Sequence, residues 1–357
     1  LDRRLQQDSL LNMSQLPQFI RSEQELEQVL TAPRLQTIDA LRGLLDPLVI
    51  VGAGGKMGPT LAVLAKRAAE QAGNSLRVIA ASRFSNAASR DWLNQRGVET
   101  QCVDMLDRSS LAKLPDSPNV IYLVGMKFGT SSDPVPTWAT NTLAPMHVCE
   151  RFTGSKIVAL STGNVYPLCS VDSEGSSESA ALTPLGEYAN AAVARERIFQ
   201  HFAAKRSIQC VLLRLNYAHD LRYGVLTDLA GKIWRGEPID LTMGHFNAIW
   251  QGDANEIIVR SFPLCSSPAR AVNLTSREIY SVRQIAQQLG ELLGRSPEFV
   301  GHEAPTALLS NAAVMDKEFG APQVDLPRLL TWIADWTRAE RPTLGKPTHF
   351  ESRDGKF

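Results

Sequence analysis

The stretch that most restricts the fold is "LVIVGAGGKMG", residues 48–58. Four apolar residues run into a glycine cluster, and "PTLAVLAKRAAEQAG" (59–73) follows with a helical pattern and Pro59 placed for a first turn. A buried strand that stops at glycines and turns at once into a helix has few folds open to it. Gly52, Gly55 and Gly58 are spaced GxxGxxG, with Gly54 in addition. That spacing supplies a tight turn, a close backbone approach to an anion and a helix N-terminus aimed at it, which is what a dinucleotide pyrophosphate requires. Glycines also simply end strands, so the flanking elements carry the inference. Lys56 and Met57, inside the loop, join the phosphate-facing set.

Further strand-like runs follow: "LRVIAAS" (76–82), "VETQCVD" (98–104), "VIYLVG" (120–125), "KIVALST" (156–162) and "IQCVLLRLN" (208–216), with helical segments between most of them. Strands alternating with helices predict an α/β fold, a Rossmann-type doubly wound parallel sheet covered on both faces. After Asn216 the alternation weakens. Helical patterns at 224–238, 281–294 and 327–340 and a strand at 269–276 predict a smaller mixed lobe. The predicted division is an N-terminal helical extension (1–46), a dinucleotide-binding domain (47–215), a substrate lobe (216–340) interleaved with it around 248–275, and a tail (341–357). The tail is charged and rich in Pro and Gly, and reads as a loose extension. Residues 1–12 are polar and precede Met13, the expected natural start.

An NAD site usually carries an acidic residue at the end of the second strand. Here "AASRF" places Ser82 and Arg83 there. An arginine suits a 2′-phosphate, so NADP is favoured over NAD, the alternative being a solvated surface arginine. Asp104, ending the third strand, stands either to reach the adenine or to cap its loop.

Lys+Arg and Asp+Glu both number 37. This balance speaks against a nucleic-acid-binding or polybasic membrane-binding protein. The five cysteines are scattered with no CxxC pair, so neither a metal site nor a disulfide framework is expected, and a cytoplasmic protein is. No apolar run reaches the roughly 18 residues of a membrane span.

Five segments, in order, resemble the extended short-chain dehydrogenase/reductase superfamily of the NAD(P)-dependent epimerase/dehydratase type: "VGAGGKMG" (51–58), "CVDMLD" (102–107), "VIYLVGMKFG" (120–129), "NTLAPMHVCE" (141–150) and "IVALSTGNVYP" (157–167). "NLTSREIYSVRQIAQQLGELLGRSPEFVG" (273–301) is similar to that family's C-terminal lobe. The resemblance covers roughly residues 47–340. It implies that Gly52, Gly55 and Gly58 hold the dinucleotide phosphates, that Gly125 and Lys127 flank the cofactor, and that Asn141 belongs to the scaffold. It implies that Thr162, with Ser161 as fallback, hydrogen-bonds the reacting oxygen, and that Tyr188 in "EYANAAVARERIF" is the catalytic tyrosine. A homodimer through a pair of helices, one carrying that tyrosine, is also implied.

The family motif is YxxxK, and this chain reads Tyr188-Ala189-Asn190-Ala191-Ala192. The lysine normally lowers the tyrosine pKa and grips the nicotinamide ribose. Its absence leaves four possibilities. Tyr188 acts with less tuning, aided by the positive nicotinamide ring; Arg195, two turns on, supplies charge; hydride chemistry is lost and a sensor or scaffold remains; or His219, Asp220 or His245 serves as another base.

The family's substrate contacts come from the second lobe. "LRLNYAHDLRYG" (213–224) offers Asn216, His219, Asp220, Arg222 and Tyr223, and "STGNVY" offers Asn164. "MGHFNAIWQGD" (243–253) offers His245 and Trp250, without the arginine that grips a sugar-nucleotide diphosphate in related enzymes. A sugar or small carbohydrate-derived hydroxyl or carbonyl compound is therefore the expected substrate. His147 and Cys149 have core spacing, and Trp332 and Trp336 are spaced to dock the last helix.

Overall fold

The computed structural model describes residues 16–356 apart from Phe128 and Ser131; the polar stretch 1–12 lies outside it. Seven strands, β1 (Leu48–Val51), β2 (Val78–Ser82), β3 (Glu99–Cys102), β4 (Asn119–Tyr122), β5 (Lys156–Thr162), β6 (Gln209–Leu215) and β7 (Arg270–Leu274), form one sheet in the order β7-β6-β5-β4-β1-β2-β3. All pairings are parallel. The sequence explains why. Leu48 and Ile50 enter the core on one face, Val49 and Val51 on the other, and all four are fully buried. A sheet covered on both sides needs such unbroken apolar runs.

The helices between strands supply the covers. On one face lie α2 (Leu35–Arg42) and α3 (Gly58–Gln71), with Ile38 and Leu61 in the core. On the other lie α5 (Arg108–Leu111), α6 (Val135–Arg151) and α7 (Glu187–Ala204), with Leu111, Val148 and Phe199. α4 (Ala87–Asn94) follows β2. From β1 the chain moves one way to β2 and β3, then returns to β4 on β1's other side. This reversal opens a crevice at the carboxyl ends of β1 and β4.

The second lobe has its own core, built by α1 (Glu23–Thr31), α8 (Val225–Arg235), α10 (Val282–Leu293) and α12 (Leu326–Arg338). Trp332 and Trp336 are buried in it. The lobes interleave. α9 (Gln251–Arg260) packs on the sheet face beside α2 and α3, and β7 joins the main sheet with Arg270 opposite Val211 and Leu274 opposite Leu215. α11 (Ala313–Phe319) adds Met315 to the same face.

The N-terminal helices straddle both lobes. Leu26 and Leu30 of α1 enter the second core, while Arg34, just before α2, pairs with Asp253 of α9 at 2.5 Å. The tail, expected to be loose, is instead docked: Thr348 is 3% exposed and Phe350 2%. Its composition concealed two anchors, a threonine seated on the partly buried Asp228 carboxylate and a phenylalanine seated in the second core. Among the described residues, no helix is long and apolar enough to cross a membrane.

Candidate active site

The three loop glycines do different jobs. Gly52 has φ of 83°, and a Cβ there would lie 2.8 Å from the Val124 nitrogen, so only glycine lets β1 turn beneath β4. A Cβ on Gly58 would run into the Ala53 backbone, so this glycine sets how closely α3 packs on β1. At Gly55 the nearest atom to a Cβ would be 3.5 Å away; what glycine provides there is bare backbone toward the crevice. α3 starts at Gly58, which lines the same space, with Pro59 in its first turn, so the positive end of the helix is at the crevice.

Two cavities fill the crevice and share Gly52, Gly55, Leu123 and Gly125. The first, about 410 Å³, lies toward β2 and β3 and is lined by Ser82, Arg83, Asn86, Ser89 and Asp104. Asp104 also orders its own loop, accepting the Leu106 N–H at 2.9 Å. The residues thus fit a dinucleotide: a glycine cradle with no room for side chains at Gly52 and Gly58 and bare backbone at Gly55, a helix N-terminus and an open slot beyond β2.

The second cavity, about 320 Å³, is the reacting end. Thr162, Asn164 and Tyr188 line it together, with Lys56, Met57 and Lys127. Thr162 ends β5 and caps the 3-10 turn Gly163–Val165; its Oγ1 accepts from the Asn164 N–H at 3.2 Å and from the Asn164 side-chain amide at 3.3 Å. Both bonds use its lone pairs, so the hydroxyl proton remains to be donated. Ser161, one residue earlier, points to the other side of the strand and donates to Glu196 at 2.5 Å. Tyr188 sits in the first turn of α7, which starts behind Gly186 at φ 87°. It is 8% exposed.

Charge reaches this chamber from several places. Burial lowers the Lys127 ammonium to about 8. Lys56 is also lowered to about 8 by burial, which the attraction of Asp220 opposes; its Nζ donates to the Ala218 carbonyl at 3.0 Å and lies 4.2 Å over the Tyr223 ring. Tyr223 is pushed up to about 12, chiefly by burial. Arg195 runs from α7 under β4, donating to the Val124 carbonyl at 3.2 Å and to Asn141 Oδ1 at 2.9 Å. Its guanidinium lies against Gly125, one of the four residues both cavities share. Asn141 in turn donates to the Met126 carbonyl at 3.1 Å, tying α6 to the same loop. Ala192 is fully buried among Val165 and Tyr166.

A buried polar network, not foreseen in sequence, holds the Thr162 turn. Glu196 of α7 and Arg214 of β6 pair at 2.7 Å, both almost wholly enclosed. Arg214 also donates to the Tyr166 hydroxyl at 2.7 Å, and Tyr166 donates to Asn273 of β7 at 2.7 Å. The available signal was Arg214 itself, one charge inside the apolar run "IQCVLLRLN". Thr348 also lines the chamber, and nothing in its surrounding sequence announced it.

Of the residues expected to meet substrate, Asn164 and Asn216 line the chamber, as does Tyr223. The others lie outside its lining. His219 is fully buried and lowered to about 3 by burial, with Nδ1 accepting the Leu226 N–H at 3.4 Å. Arg222 pairs with Asp220 at 3.1 Å and with Glu23 of α1 at 3.4 Å. His245 is in a two-residue strand opposite Ser281, and Trp250 packs edge-on against Trp332 with centroids 5.4 Å apart. His219, Arg222 and Trp250 are thereby committed to packing or pairing.

Comparison with known proteins agrees with this geometry. The model of the NAD dependent epimerase/dehydratase family matches residues 48–239. Solved structures share the fold. A UDP-galactose 4-epimerase superposes with a TM-score of 0.65 and 22% identity over 82% of this chain and 99% of its own. A UDP-glucose 4-epimerase from Thermotoga maritima, solved with UDP-glucose, gives 0.65 and 17% over the same shares. A dTDP-glucose 4,6-dehydratase from Streptomyces venezuelae with NAD bound gives 0.68 and 16% over 82% and 97%. No curated protein matches the sequence. The glycine cradle, the strand order and the family match lead to one conclusion: this chain belongs to the NAD dependent epimerase/dehydratase family.

Proposed function

We propose that the protein is an NAD(P)-dependent oxidoreductase, epimerase or dehydratase acting on a sugar or small carbohydrate-derived hydroxyl or carbonyl compound. The observation that carries this reading is the convergence of Thr162, Asn164 and Tyr188 on one chamber continuous with the glycine-loop cavity. When bound, the nicotinamide cofactor supplies hydride acceptance and return. Gly52, Gly55, Gly58 and the α3 N-terminus hold its phosphates, with Lys56, Met57, Gly125 and Lys127 beside them. Thr162 donates its free proton to the reacting oxygen, and Tyr188 takes or returns the proton on that oxygen. Lys127 and Arg195 supply the positive charge that Ala192 does not. Asn216 and Asn164 orient substrate hydroxyls.

NADP is the favoured cofactor within this proposal. The end of β2 presents Ser82 and Arg83 to the cavity, and no carboxylate from β2 or α4 lines it. Fluorescence titration tests this: Arg83→Ala weakens NADPH about tenfold and leaves NADH unchanged, a charge-assisted phosphate contact being worth about 1.5–3 kcal/mol. Several solved neighbours hold NAD, and NADH binding more tightly than NADPH to the parent protein, with Arg83→Ala leaving NADPH unaffected, would favour NAD instead. A homodimer through α6 and α7 belongs to the same proposal. Leu143 on α6 is 43% exposed, which suits an apolar contact, and sedimentation equilibrium tests it.

A second reading has its own observation. Ala192, buried among apolar groups, leaves the YxxxK position without a cation, which suits a dinucleotide-binding sensor or scaffold. Screening sugars, sugar acids and sugar nucleotides for cofactor oxidation or reduction separates the two. Turnover abolished by Tyr188→Phe supports the enzyme. Tight cofactor binding with no turnover on any compound supports the sensor.

A further inference from the structure

We infer that residues 344–356 form the outer wall of the substrate chamber and confine it to a compact, nucleotide-free polyhydroxy substrate, with Thr348 contributing a hydroxyl to its recognition. This rests on the reading above that the chamber of Thr162 and Tyr188 is the reacting end.

The segment is anchored along its length. The Leu344 N–H donates to the Arg222 carbonyl at 3.0 Å. The N–H and hydroxyl of Thr348 both donate to Asp228, in the first turn of α8, at 2.8 and 2.6 Å. Phe350 is 2% exposed, with its ring 6.5 Å from that of Phe246. Arg353 donates to the carbonyls of Thr242 and Thr306 at 3.1 and 2.6 Å. Gly355 then lies backbone to backbone on Leu185 and Gly186, directly before the helix that carries Tyr188. Gly355 has φ of 73° and Gly186 of 87°, and a Cβ on either would collide with the other's chain segment. So the segment runs from α8, past the chamber, to the start of α7.

Its effect on the chamber follows from size and chemistry. The cavity of about 320 Å³ has to take the nicotinamide end of the cofactor as well as the substrate. Sites for a single drug-sized ligand run from roughly 300 to 1,000 Å³, so this volume suits a nicotinamide with one compact substrate, and a nucleoside diphosphate would have to extend beyond it, past the segment that carries Thr348. The Thr348 hydroxyl spends its proton on Asp228 and keeps its lone pairs, so it accepts from a substrate hydroxyl. Asn164 and Asn216 add amides, Lys56 adds an ammonium, and no carboxylate lines the chamber among the described residues. Free sugars and sugar acids match this set.

Bound NADPH reports on the wall directly. Its fluorescence is quenched by acrylamide in the intact protein, in Phe350→Ala, in Gly355→Val and in a chain lacking residues 344–357, with circular dichroism confirming that each is folded. Expected is weak quenching in the intact protein and several-fold stronger quenching in every folded variant, at unchanged NADPH affinity. Calorimetry on the NADP-loaded intact protein should show no binding of UDP-glucose. Equal quenching with and without the segment overturns the inference, as does UDP-glucose binding to the intact protein with a Kd below about 1 mM. If the shortened chain does not fold, Gly355→Val, which touches neither core nor chamber lining, decides alone. Should the intact protein bind NADH but not NADPH, the same quenching series is read with NADH; failure of both NADPH and NADH to bind contradicts the underlying reading of the crevice instead.

Discussion

The family's motifs single out Tyr188 and Thr162, and both line one chamber. The sequence did not show where positive charge lies around the chamber, given Ala192 at the motif's lysine position. Arg195 looked too distant by helical count, yet its long side chain passes under β4 to Gly125. Arg195→Met removes two donors and leaves the Val124 carbonyl and Asn141 Oδ1 inside the protein without that partner. Hydrogen bonds to charged groups contribute about 1.5–3 kcal/mol, so urea denaturation should show a loss of about 2 kcal/mol, together with weaker cofactor binding. Lys127 gives a pH signature. Its folded value near 8 lies below the ordinary 10.5, so the folded state sheds the proton first. The burial penalty is complete below pH 8, where both states are charged, and fades as pH rises toward the unfolded value. Lys127→Met should therefore raise the melting temperature of the cofactor-free protein at pH 7 and raise it less near pH 10. Cofactor affinity of the unmodified protein should fall above pH 8, as the ammonium loses its charge.

At the scale of elements, most strands and helices announced themselves through local pattern. β1 was visible because four apolar residues ended at glycines, and α3 because Pro59 and a run of alanines followed. What escaped depended on partners distant in sequence. β7 carried a strand pattern, but its place beside β6 is a matter of register. The Glu196–Arg214 pair joins α7 to β6: Arg214 stood out as a charge inside an apolar run, but nothing local named Glu196 as its partner. The pair makes a test of how the Thr162 turn is held. Glu196→Gln leaves the Arg214 guanidinium enclosed without its counter-ion, which typically costs 3–5 kcal/mol, whereas Glu196→Leu combined with Arg214→Met should cost clearly less. If the turn depends on this network, the double variant keeps its stability but loses turnover, because Ser161 and Tyr166 lose their partners. Equal activity in the double variant and the parent would show that the network serves stability alone.

Over the whole molecule, two lobes enclose one crevice at the strand-order reversal, and three segments outside the regular α/β repeat bind them together. Arg34 and α2 fasten the N-terminal side to α9, α1 enters the second core, and the stretch ending near Gly355 returns to the start of α7. The fold class was legible because alternation of strands and helices is a local signal. The docking of the tail was not, because a Pro- and Gly-rich charged stretch has the same composition whether anchored or free. The account stands on the crevice being a dinucleotide site whose reacting end is Tyr188. The most direct test is a crystal structure of the protein with NADP bound. The account predicts the pyrophosphate against Gly55 and the α3 N-terminus, and the nicotinamide in the chamber with its C4 facing Thr162 and Tyr188. A nicotinamide seated elsewhere, with the Tyr188 oxygen out of reach of C4 and of anything bound beside it, would contradict it.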